Sequence, residues 1–277
     1  MIKKGWILVE HKIFKNKNFP FVELRYAQVV RGCSKSHTHE LITIIAIKEG
    51  KVNLILNKKE EILNNKSIAF LNPNMAHCIE VLDKKSLGDY VLHLDKTWCA
   101  KLQKELFSND EYLPLQKVLL NTKNINKDFI ILCEKLLSTD SSLEKERDLI
   151  VFMKTLFLDF LSVSKPKKNH ITSKAQKIKD YLDENTEDNL SLKELSLEFL
   201  ISEVHIIRLF KKEFDLSIHS YLLNKKVHKA RELLGSKETI LNIALQSGFY
   251  DQSHLNKAFK RVFSLTPKEY QDNILKC

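Results

Sequence analysis

The chain has 277 residues, of which 43% are hydrophobic, and its formal net charge is +10 at pH 7. This length and composition allow two domains with sizeable cores and exclude a disordered protein. The positive charge favours an anionic partner such as nucleic acid, but it is concentrated in the first 170 residues. From Ile171 onward 17 Lys and Arg face 15 Asp and Glu. The charge alone therefore does not locate a nucleic-acid site.

The five cysteines, at positions 33, 78, 99, 133 and 277, contain no CxxC pair and are odd in number. This pattern argues against a disulfide framework and against a zinc knuckle, and it favours buried thiols in a reducing compartment. The first residues contain no apolar run long enough for a signal peptide, and no later stretch is long enough to span a membrane. The sequence predicts a soluble cytoplasmic protein without a membrane partner.

Short β-rich segments dominate the first hundred residues. Residues 40–56, ELITIIAIKEGKVNLIL, form two such runs separated by Glu49 and Gly50, which is a pattern typical of a β-hairpin. Residues 67–73, SIAFLNP, predict another strand that is ended by proline. Several short strands at this spacing predict an antiparallel sandwich or barrel, which we assign to residues 1–98.

Helical periodicity begins near Thr97 and continues through KLQKELF, DFIILCEKLLS and residues 143–163. We assign residues 99–163 to a helical segment whose last helix carries a broad apolar stripe, suited either to a core or to a dimer seam. The stripe consists of Leu149, Ile150, Phe152, Met153, Leu156, Phe157 and Phe160. Proline and lysines without periodicity predict a linker at 164–172, followed by a helical domain at 173–277.

The last hundred residues contain a weak internal repeat. Residues 190–214 and 239–263 share a short helix, a tight turn and a longer helix that begins after Ser202 or Asp251. In the second copy an apolar stripe of Leu255, Ala258, Phe259 and Val262 leaves amides, a hydroxyl and ammonium groups on the opposite face. This is the helix-turn-helix plan, in which the second helix enters the major groove of DNA.

Residues 243–270, IALQSGFYDQSHLNKAFKRVFSLTPKEY, resemble the signature of the AraC/XylS family of bacterial transcriptional regulators. The matching residues are Ile243, Ala244, Gly248, Phe249, Ser253, Phe259, Lys260, Pro267 and Tyr270. Leu255 replaces an aromatic residue and Ser264 replaces a glycine. The first copy is similar to the same family, with Ser196 replacing alanine and Asp215 replacing glycine. The resemblance implies an α+β protein: a cupin-like antiparallel β-barrel followed by helices, and a C-terminal all-α domain with two helix-turn-helix units.

The resemblance also implies that both second helices contact double-stranded DNA. In the first helix the predicted contacts are Ser202, Glu203, Val204, Ile207, Arg208, Lys211 and Lys212. In the second they are Gln252, Ser253, His254, Asn256, Lys257 and Lys260. A guanidinium suits guanine, amides suit adenine edges and lysines suit phosphate. Val204 and Ile207 either meet thymine methyl groups or pack against a neighbouring helix.

Residues 36–56 and 67–82 resemble the cupin-type sensory domain that often precedes this helix-turn-helix pair. The candidate ligand-binding residues are His37, His39, His77 and His93. Neutral imidazoles suit zinc or another divalent ion, and the His-x-His spacing predicts that His37 and His39 share one strand face. Thr43 and Ile44 stand where a cupin metal site has glutamate, which leaves Glu40 or water as the substitute. Alternatively, the histidines hydrogen-bond one another or line a pocket for an organic ligand.

These observations predict a sequence-specific DNA-binding transcriptional regulator, not an enzyme, that responds to a small-molecule effector in the barrel. The family resemblance implies an activator, and repression is equally compatible with the sequence. The family resemblance implies a homodimer formed through the helices of 99–163 and contact with RNA polymerase. The alternatives are a regulator that senses metal, a regulator that senses redox state through Cys33 or Cys78, and a cupin metalloenzyme fused to a DNA-binding domain.

Overall fold

The structure is a computed structural model that describes residues 10–33, 35–56, 59–83, 86–161, 172–185 and 190–274. The predicted linker at 164–172 lies outside these residues, apart from Thr172. The N-terminal part contains a six-stranded antiparallel sheet, in the order β1-β2-β8-β3-β6-β9, and a three-stranded sheet, in the order β5-β4-β7. The strands are β1 His11–Asn16, β2 Phe19–Val29, β3 Ile42–Glu49, β4 Lys51–Leu56, β5 Lys59–Asn64, β6 Ile68–Leu71, β7 His77–Val81, β8 Leu87–Leu94 and β9 Leu119–Leu120.

Strand β3 lies in the middle of the barrel wall and is covered on both sides. Ile42, Ile44 and Ala46 pack in one core with the helices that follow the barrel. Ile45 and Ile47 pack in a second core, between the two sheets. Because both faces are buried, the strand reads as a continuous apolar run rather than as an alternating one.

The predicted hairpin between β3 and β4 is wrong. Strand β3 pairs with β6 and β8, whereas β4 pairs with β5 and β7 in the other sheet. The chain turns a corner at Gly50, where φ is 90° and a Cβ atom would lie 2.2 Å from Ser86 Oγ. Ser86 Oγ in turn accepts a hydrogen bond from the Lys51 backbone N–H at 3.1 Å. A glycine corner therefore passes the chain from one sheet to the other.

Three helices cover the outer face of the large sheet, as the periodicity of residues 101–163 predicts. They are α1 Lys96–Phe107, α2 Ile125–Leu137 and α3 Ser142–Phe160. Within the predicted stripe of α3, Leu149, Met153, Leu156 and Phe157 are buried in the core shared with the sheet. These four residues serve the core, which places any dimer contact on the remaining surface of α2 and α3.

The C-terminal domain is helical throughout its described residues. Its helices are α4 Ser173–Glu184, α5 Leu192–Phe199, α6 Glu203–Phe214, α7 Ile218–Leu233, α8 Ile240–Gln246, α9 Gln252–Phe263 and α10 Pro267–Ile274. The pairs α5–α6 and α8–α9 form the two helix-turn-helix units, and α7 joins them. Helix α7 gives Ile218 and Tyr221 to the core of the first unit, and Val227 and Ala230 to the core of the second. One long helix therefore holds both units.

Candidate DNA-binding surface and buried histidine site

Both predicted recognition helices begin at the predicted capping residues. Ser202 Oγ accepts a hydrogen bond from the His205 backbone N–H at 3.3 Å, and Asp251 Oδ1 accepts one from the His254 backbone N–H at 2.7 Å. Each cap satisfies one of the free N–H groups in the first turn of its helix. The starts of α6 and α9 are therefore confirmed.

Helix α6 turns one apolar side inward and its charged side to solvent. Ile206 and Phe210 are fully buried. All seven predicted contact residues, Ser202, Glu203, Val204, Ile207, Arg208, Lys211 and Lys212, are exposed. Val204 is 57% exposed and Ile207 is 39% exposed. Both side chains therefore reach the surface, and their interaction with DNA stays a prediction.

Helix α9 likewise has a buried apolar face and an exposed polar face. Its buried residues are Leu255, Ala258, Phe259 and Phe263. Gln252, Ser253, His254, Lys257 and Lys260 are exposed and Asn256 is half-buried, so every predicted contact residue reaches the surface. The His254 ring lies edge-on to Phe249 at 5.2 Å, which fixes its position beside the turn. The polar face has amides at its start and lysines further along, an order suited to base edges and flanking phosphates.

The barrel histidines lie together at the interface between the barrel and the DNA-binding domain. The ring centroids of His37 and His77 are 4.4 Å apart, and those of His39 and His93 are 4.7 Å apart. One ring nitrogen from each of His37, His39 and His77 lies within 4.8 Å of the other two. All four side chains are buried. The sequence thus identified four side chains that meet in one site.

The predicted shared strand face for His37 and His39 is wrong. His37 forms only an isolated bridge with His77, in which each backbone N–H donates to the carbonyl of the other at 2.9 Å. His39 follows in the connection that leads into β3. The two rings still lie 5.0 Å apart, and the bridge to β7 holds His37 beside His77.

Hydrogen bonds to carbonyl groups set the tautomers of two of these rings. His77 Nδ1 lies 3.0 Å from the Met75 carbonyl oxygen, and His37 Nδ1 lies 3.5 Å from that of Lys35. Because a carbonyl only accepts, Nδ1 carries the proton in both rings and Nε2 keeps its lone pair. Burial lowers the pKa of His77 to about 4 and, with the neighbouring imidazoles, holds the pKa values of His37 and His39 well below their usual range. All three rings are neutral at pH 7.

Two further residues that the sequence offered for the histidine site have different positions: His93 belongs to the site, and Glu40 does not. His93 Nδ1 lies 3.0 Å from Thr43 Oγ1, and burial together with Arg231 lowers the pKa of His93 to about 3. Thr43 therefore orients His93 at the place where cupins carry a glutamate. Glu40 does not join the histidines, because Lys225 of α7 donates to it at 2.6 Å. Lys225 is thus an interdomain ion-pair partner.

The DNA-binding domain supplies one wall of the histidine site, which sequence reasoning missed. His228 of α7 lies 5.5 Å from the His39 ring, and Phe263, the last residue of α9, lies 5.7 Å from it. His228 Nε2 donates to the Thr38 carbonyl at 2.9 Å, and Asn224 Nδ2 donates to the same carbonyl at 2.7 Å. These residues belong to helices whose periodicity gives no sign of a partner domain, so no local signal identifies them.

A buried ion pair also joins the two domains. Arg231 of α7 donates to both oxygens of Glu23 in β2, at 2.6 and 3.2 Å, and the Tyr270 hydroxyl donates to Glu23 at 2.7 Å. Burial acts to raise the pKa of Glu23, but Arg231 and Lys15 outweigh it and lower that pKa to about 2. A carboxylate held this way stays charged, and it fixes α7 and α10 to the barrel.

The space beside the histidines is small. The cavity has a volume of about 30 Å³ and is lined by both domains, with His37, His39, His77 and His93 facing Val262 and Phe263. A larger groove of about 470 Å³ lies elsewhere, on the outside of α2 and α3, where Ile131 and Val151 are exposed. The histidine site thus has room for about one small ligand, whereas the groove is a surface feature.

Four cysteines lie among the described residues, and all four are free thiols. Cys99 and Cys133 are buried in the core, as expected for structural thiols. Cys33 Sγ lies 3.2 Å from Cys78 Sγ, although the two are 45 positions apart in the chain. This hydrogen bond lowers the pKa of Cys78 and, together with burial, raises that of Cys33. The two residues considered for redox sensing are therefore neighbours.

Two capped helices with exposed polar faces, carried on one helix and docked on a β-barrel with a small buried site, define a helix-turn-helix regulator with an attached sensor domain. Residues 195–273 match the model of a helix-turn-helix domain, and residues 23–152 match that of an AraC-like ligand binding domain. The chain belongs to the AraC family of transcriptional regulators. Both domains mark it as a DNA-binding regulator rather than an enzyme.

Comparison with individual proteins agrees with this assignment. The chain is 27% identical over 229 residues to the HTH-type transcriptional regulator YbfI of Bacillus subtilis, covering 79% of this chain and 80% of YbfI. It is 36% identical over 95 residues to the multiple antibiotic resistance protein MarA of Escherichia coli, covering 34% of this chain and 75% of MarA. The fold matches Vibrio cholerae ToxT bound to an unsaturated fatty acid, with a TM-score of 0.59, 15% identity and coverage of 100% and 99%. None of the described helices is long and apolar enough to cross a membrane.

Proposed function

We propose that this regulator binds two neighbouring major-groove segments of one promoter through α6 and α9, and that it activates transcription when a small effector occupies the barrel histidine site. The observation that carries the proposal is the pair of N-capped helices, each with its contact residues exposed and both packed on α7. Major-groove faces on one side of B-form DNA recur about every 34 Å, and two helices on a rigid connector suit that repeat.

The side chains of the two helices suit different groups on the DNA. Arg208 of α6 suits bidentate bonding to guanine, and Val204 and Ile207 suit the methyl groups of thymine. Gln252 and Asn256 of α9 suit adenine. The lysines at 211, 212, 257 and 260 contact phosphate, so they strengthen binding to any sequence.

A homodimer formed through α2 and α3 completes the proposal. The core uses the inner faces of these helices, while Ile131, Val151 and Leu158 remain exposed on the outside, at 44%, 59% and 61%. Exposed apolar residues grouped on one face favour association with a second copy. Two chains carry four recognition helices, which suits a pair of half-sites beside RNA polymerase in the cytoplasm.

The assigned roles are tested by binding to DNA selected from a random pool with the wild-type chain. Arg208→Ala and Gln252→Ala are expected to weaken binding to the selected DNA by about tenfold or more and to change binding to random DNA little. Lys212→Ala is the matched control, because it removes an exposed charge from α6 without removing a base contact. It is expected to weaken both kinds of binding similarly and to flatten the salt dependence. Equal losses on both DNAs for all three variants would contradict the roles.

The thiol pair favours a second candidate function, regulation by oxidation. Hydrogen peroxide would convert the thiols of Cys33 and Cys78 into one disulfide and release two water molecules, with the Cys78 thiolate as the first nucleophile. The support is their Sγ–Sγ distance of 3.2 Å. Cys33→Ser is expected to abolish a promoter response to peroxide, and Cys277→Ser, which leaves the pair intact, is expected to retain it. An unchanged response in Cys33→Ser removes this candidate.

A further inference from the structure

The three histidines His37, His39 and His77 form a preorganised set of nitrogen donors. The protons on Nδ1 of His37 and His77 are directed to backbone carbonyls, which leaves a lone pair on each Nε2. His39 Nδ1 is buried and, within the described part of the chain, has no hydrogen-bond partner. A histidine that binds a metal commonly donates its second N–H to a carbonyl, and a buried ring nitrogen without a partner normally costs free energy. A ligand bound among the rings accounts for both features.

The surroundings select the chemical class of that ligand. The carboxylates nearest the site are already paired, since Arg25 donates to Asp89 at 2.8 Å and Lys225 donates to Glu40 at 2.6 Å. A donor set made of imidazoles suits Zn²⁺, Co²⁺, Ni²⁺ or Cu²⁺ and not Mg²⁺ or Ca²⁺.

The size of the cavity excludes larger ligands. A cavity volume of about 30 Å³ is roughly two to three times what one water molecule requires. A metal ion with one solvent ligand fits this space, whereas a sugar or a fatty acid requires the domains to separate. The size of this space therefore favours an ion with its solvent ligand over a sugar or a fatty acid in the docked arrangement.

We propose that His37, His39 and His77 bind one divalent transition-metal ion of the zinc type, and that the bound ion stabilises the docking of the DNA-binding domain on the barrel. The proposal rests on the proposed function and names the chemical class of its effector. The His39 ring contacts both His228 and Phe263, so docking holds this ligand in place and shields the site. A site completed by docking binds the ion better in the docked state, and by reciprocity the ion favours that state.

Contacts between the barrel and α9 indicate that the bound ion strengthens DNA binding. Arg31 of the barrel lies in one cleft with Lys257, Lys260 and Arg261 of α9, and its guanidinium donates to the Ser264 carbonyl at 3.4 Å. Docking therefore adds a fourth positive charge beside the second recognition helix. An ion that favours docking tightens DNA binding, by about fivefold or more if the coupling has a typical strength. Arg31→Ala is expected to reduce this gain.

Metal binding is tested first on the full chain, purified with a chelator. Co²⁺ is titrated and followed by its visible absorption, and Zn²⁺ is titrated in competition with a fluorescent chelator. The wild type and His219→Gln, which changes an exposed histidine of α7, are expected to bind one equivalent. His37→Gln and His77→Gln are expected to bind about 100-fold more weakly or not at all, with unchanged circular dichroism. If either variant fails to fold, His39→Gln takes its place. Absence of stoichiometric binding by the wild type, or equal binding by all variants, overturns the metal site.

The coupling is tested by measuring affinity for the selected DNA with and without Zn²⁺. Tighter binding by the wild type and His219→Gln, with no Zn²⁺ effect in His37→Gln, supports the proposal. Stoichiometric Zn²⁺ binding that leaves the affinity of the wild type for DNA unchanged overturns the coupling. The proposed function fails by a separate result, namely that the chain with or without Zn²⁺ prefers no DNA sequence.

Discussion

The two helix-turn-helix units share a plan but differ in how they relate to the sensor domain. The first unit exposes Val204, Ile207 and Arg208 on α6 and meets the barrel in its core through Ala76. The second unit exposes amides on α9, and the last residue of α9, Phe263, lies against the barrel histidines. A change at the histidine site can therefore reach the second unit through Phe263 and the first unit through Ala76, which precedes His77 in the chain. Two similar units are in this way coupled to one site through different contacts.

The largest expected effect comes from the ion pair that anchors the second unit. Arg231→Met leaves the buried carboxylate of Glu23 without its main partner, which costs about 3 to 5 kcal/mol of the free energy of unfolding. Thermal or urea unfolding measures this loss. Lys268→Met, which breaks the exposed pair with Asp272, is the matched control and is expected to change stability by less than about 1 kcal/mol. Equal, small effects of both substitutions would show that the ion pair does not hold the domains together.

The same ion pair predicts a dependence on pH. The pKa of Glu23 is lowered from 4.5 to about 2 in the folded chain, so its contribution to stability is complete above pH 4.5 and is lost as pH falls towards 2. The difference in stability between the wild type and Arg231→Met is therefore expected to shrink over this range. Urea unfolding at pH 6 and pH 3.5 measures it. A difference that grows on acidification would contradict the assignment.

The orientation of the first recognition helix is tested by two neighbouring isoleucines. Ile206 is fully buried, so Ile206→Ala is expected to cost about 2 to 5 kcal/mol of stability. Ile207 is 39% exposed, so Ile207→Ala is expected to change stability by about 0.5 kcal/mol while weakening binding to the selected DNA. Urea unfolding of both variants decides the point. The reverse order of stability would mean that α6 is rotated and that its predicted contact residues face inward.

The smallest effect concerns the turns of the two units. Each turn contains a residue with positive φ, but the residue is leucine in the first unit and glycine in the second. Leu200 has φ of 51° and Gly248 has φ of 78°, although only glycine adopts such values without strain. Leu200→Gly is expected to stabilise the chain by about 1 kcal/mol, because Leu200 is 88% exposed and loses little packing. Gly248→Ala is expected to destabilise it by a similar amount, as measured by thermal unfolding. Opposite signs would show that the turns are relaxed by other contacts.

The two domains differ in how far the sequence predicts them. In the DNA-binding domain, Ser202 and Asp251 mark helix starts by local capping chemistry, and the stripe of Leu255, Ala258 and Phe259 fixes the buried face. Such signals act within a few residues, so the prediction succeeds. In the barrel the turn at Gly50 looks like a hairpin, because glycine marks a change of direction but not which strands then pair.

The histidine site was predicted only in part for a similar reason. His37, His39, His77 and His93 were identified by residue type, and the structure brings them together. His228 and Phe263 were missed as members of the site, since their contacts with His39 span about 190 positions or more and arise only when the domains dock. Lys225 was not identified as an interdomain contact, because its partner Glu40 lies 185 positions away in the chain. Local patterns carry no information on such contacts.

The central claim is that α6 and α9 read two separate parts of one DNA site. The most direct measurement is a base-pair substitution scan of the selected DNA, with binding by the wild type, Arg208→Ala and Gln252→Ala compared at every position. We expect each variant to lose discrimination at its own position, with the two positions about one helical turn apart. Loss at the same position in both variants, or uniform loss along the site, would contradict the claim.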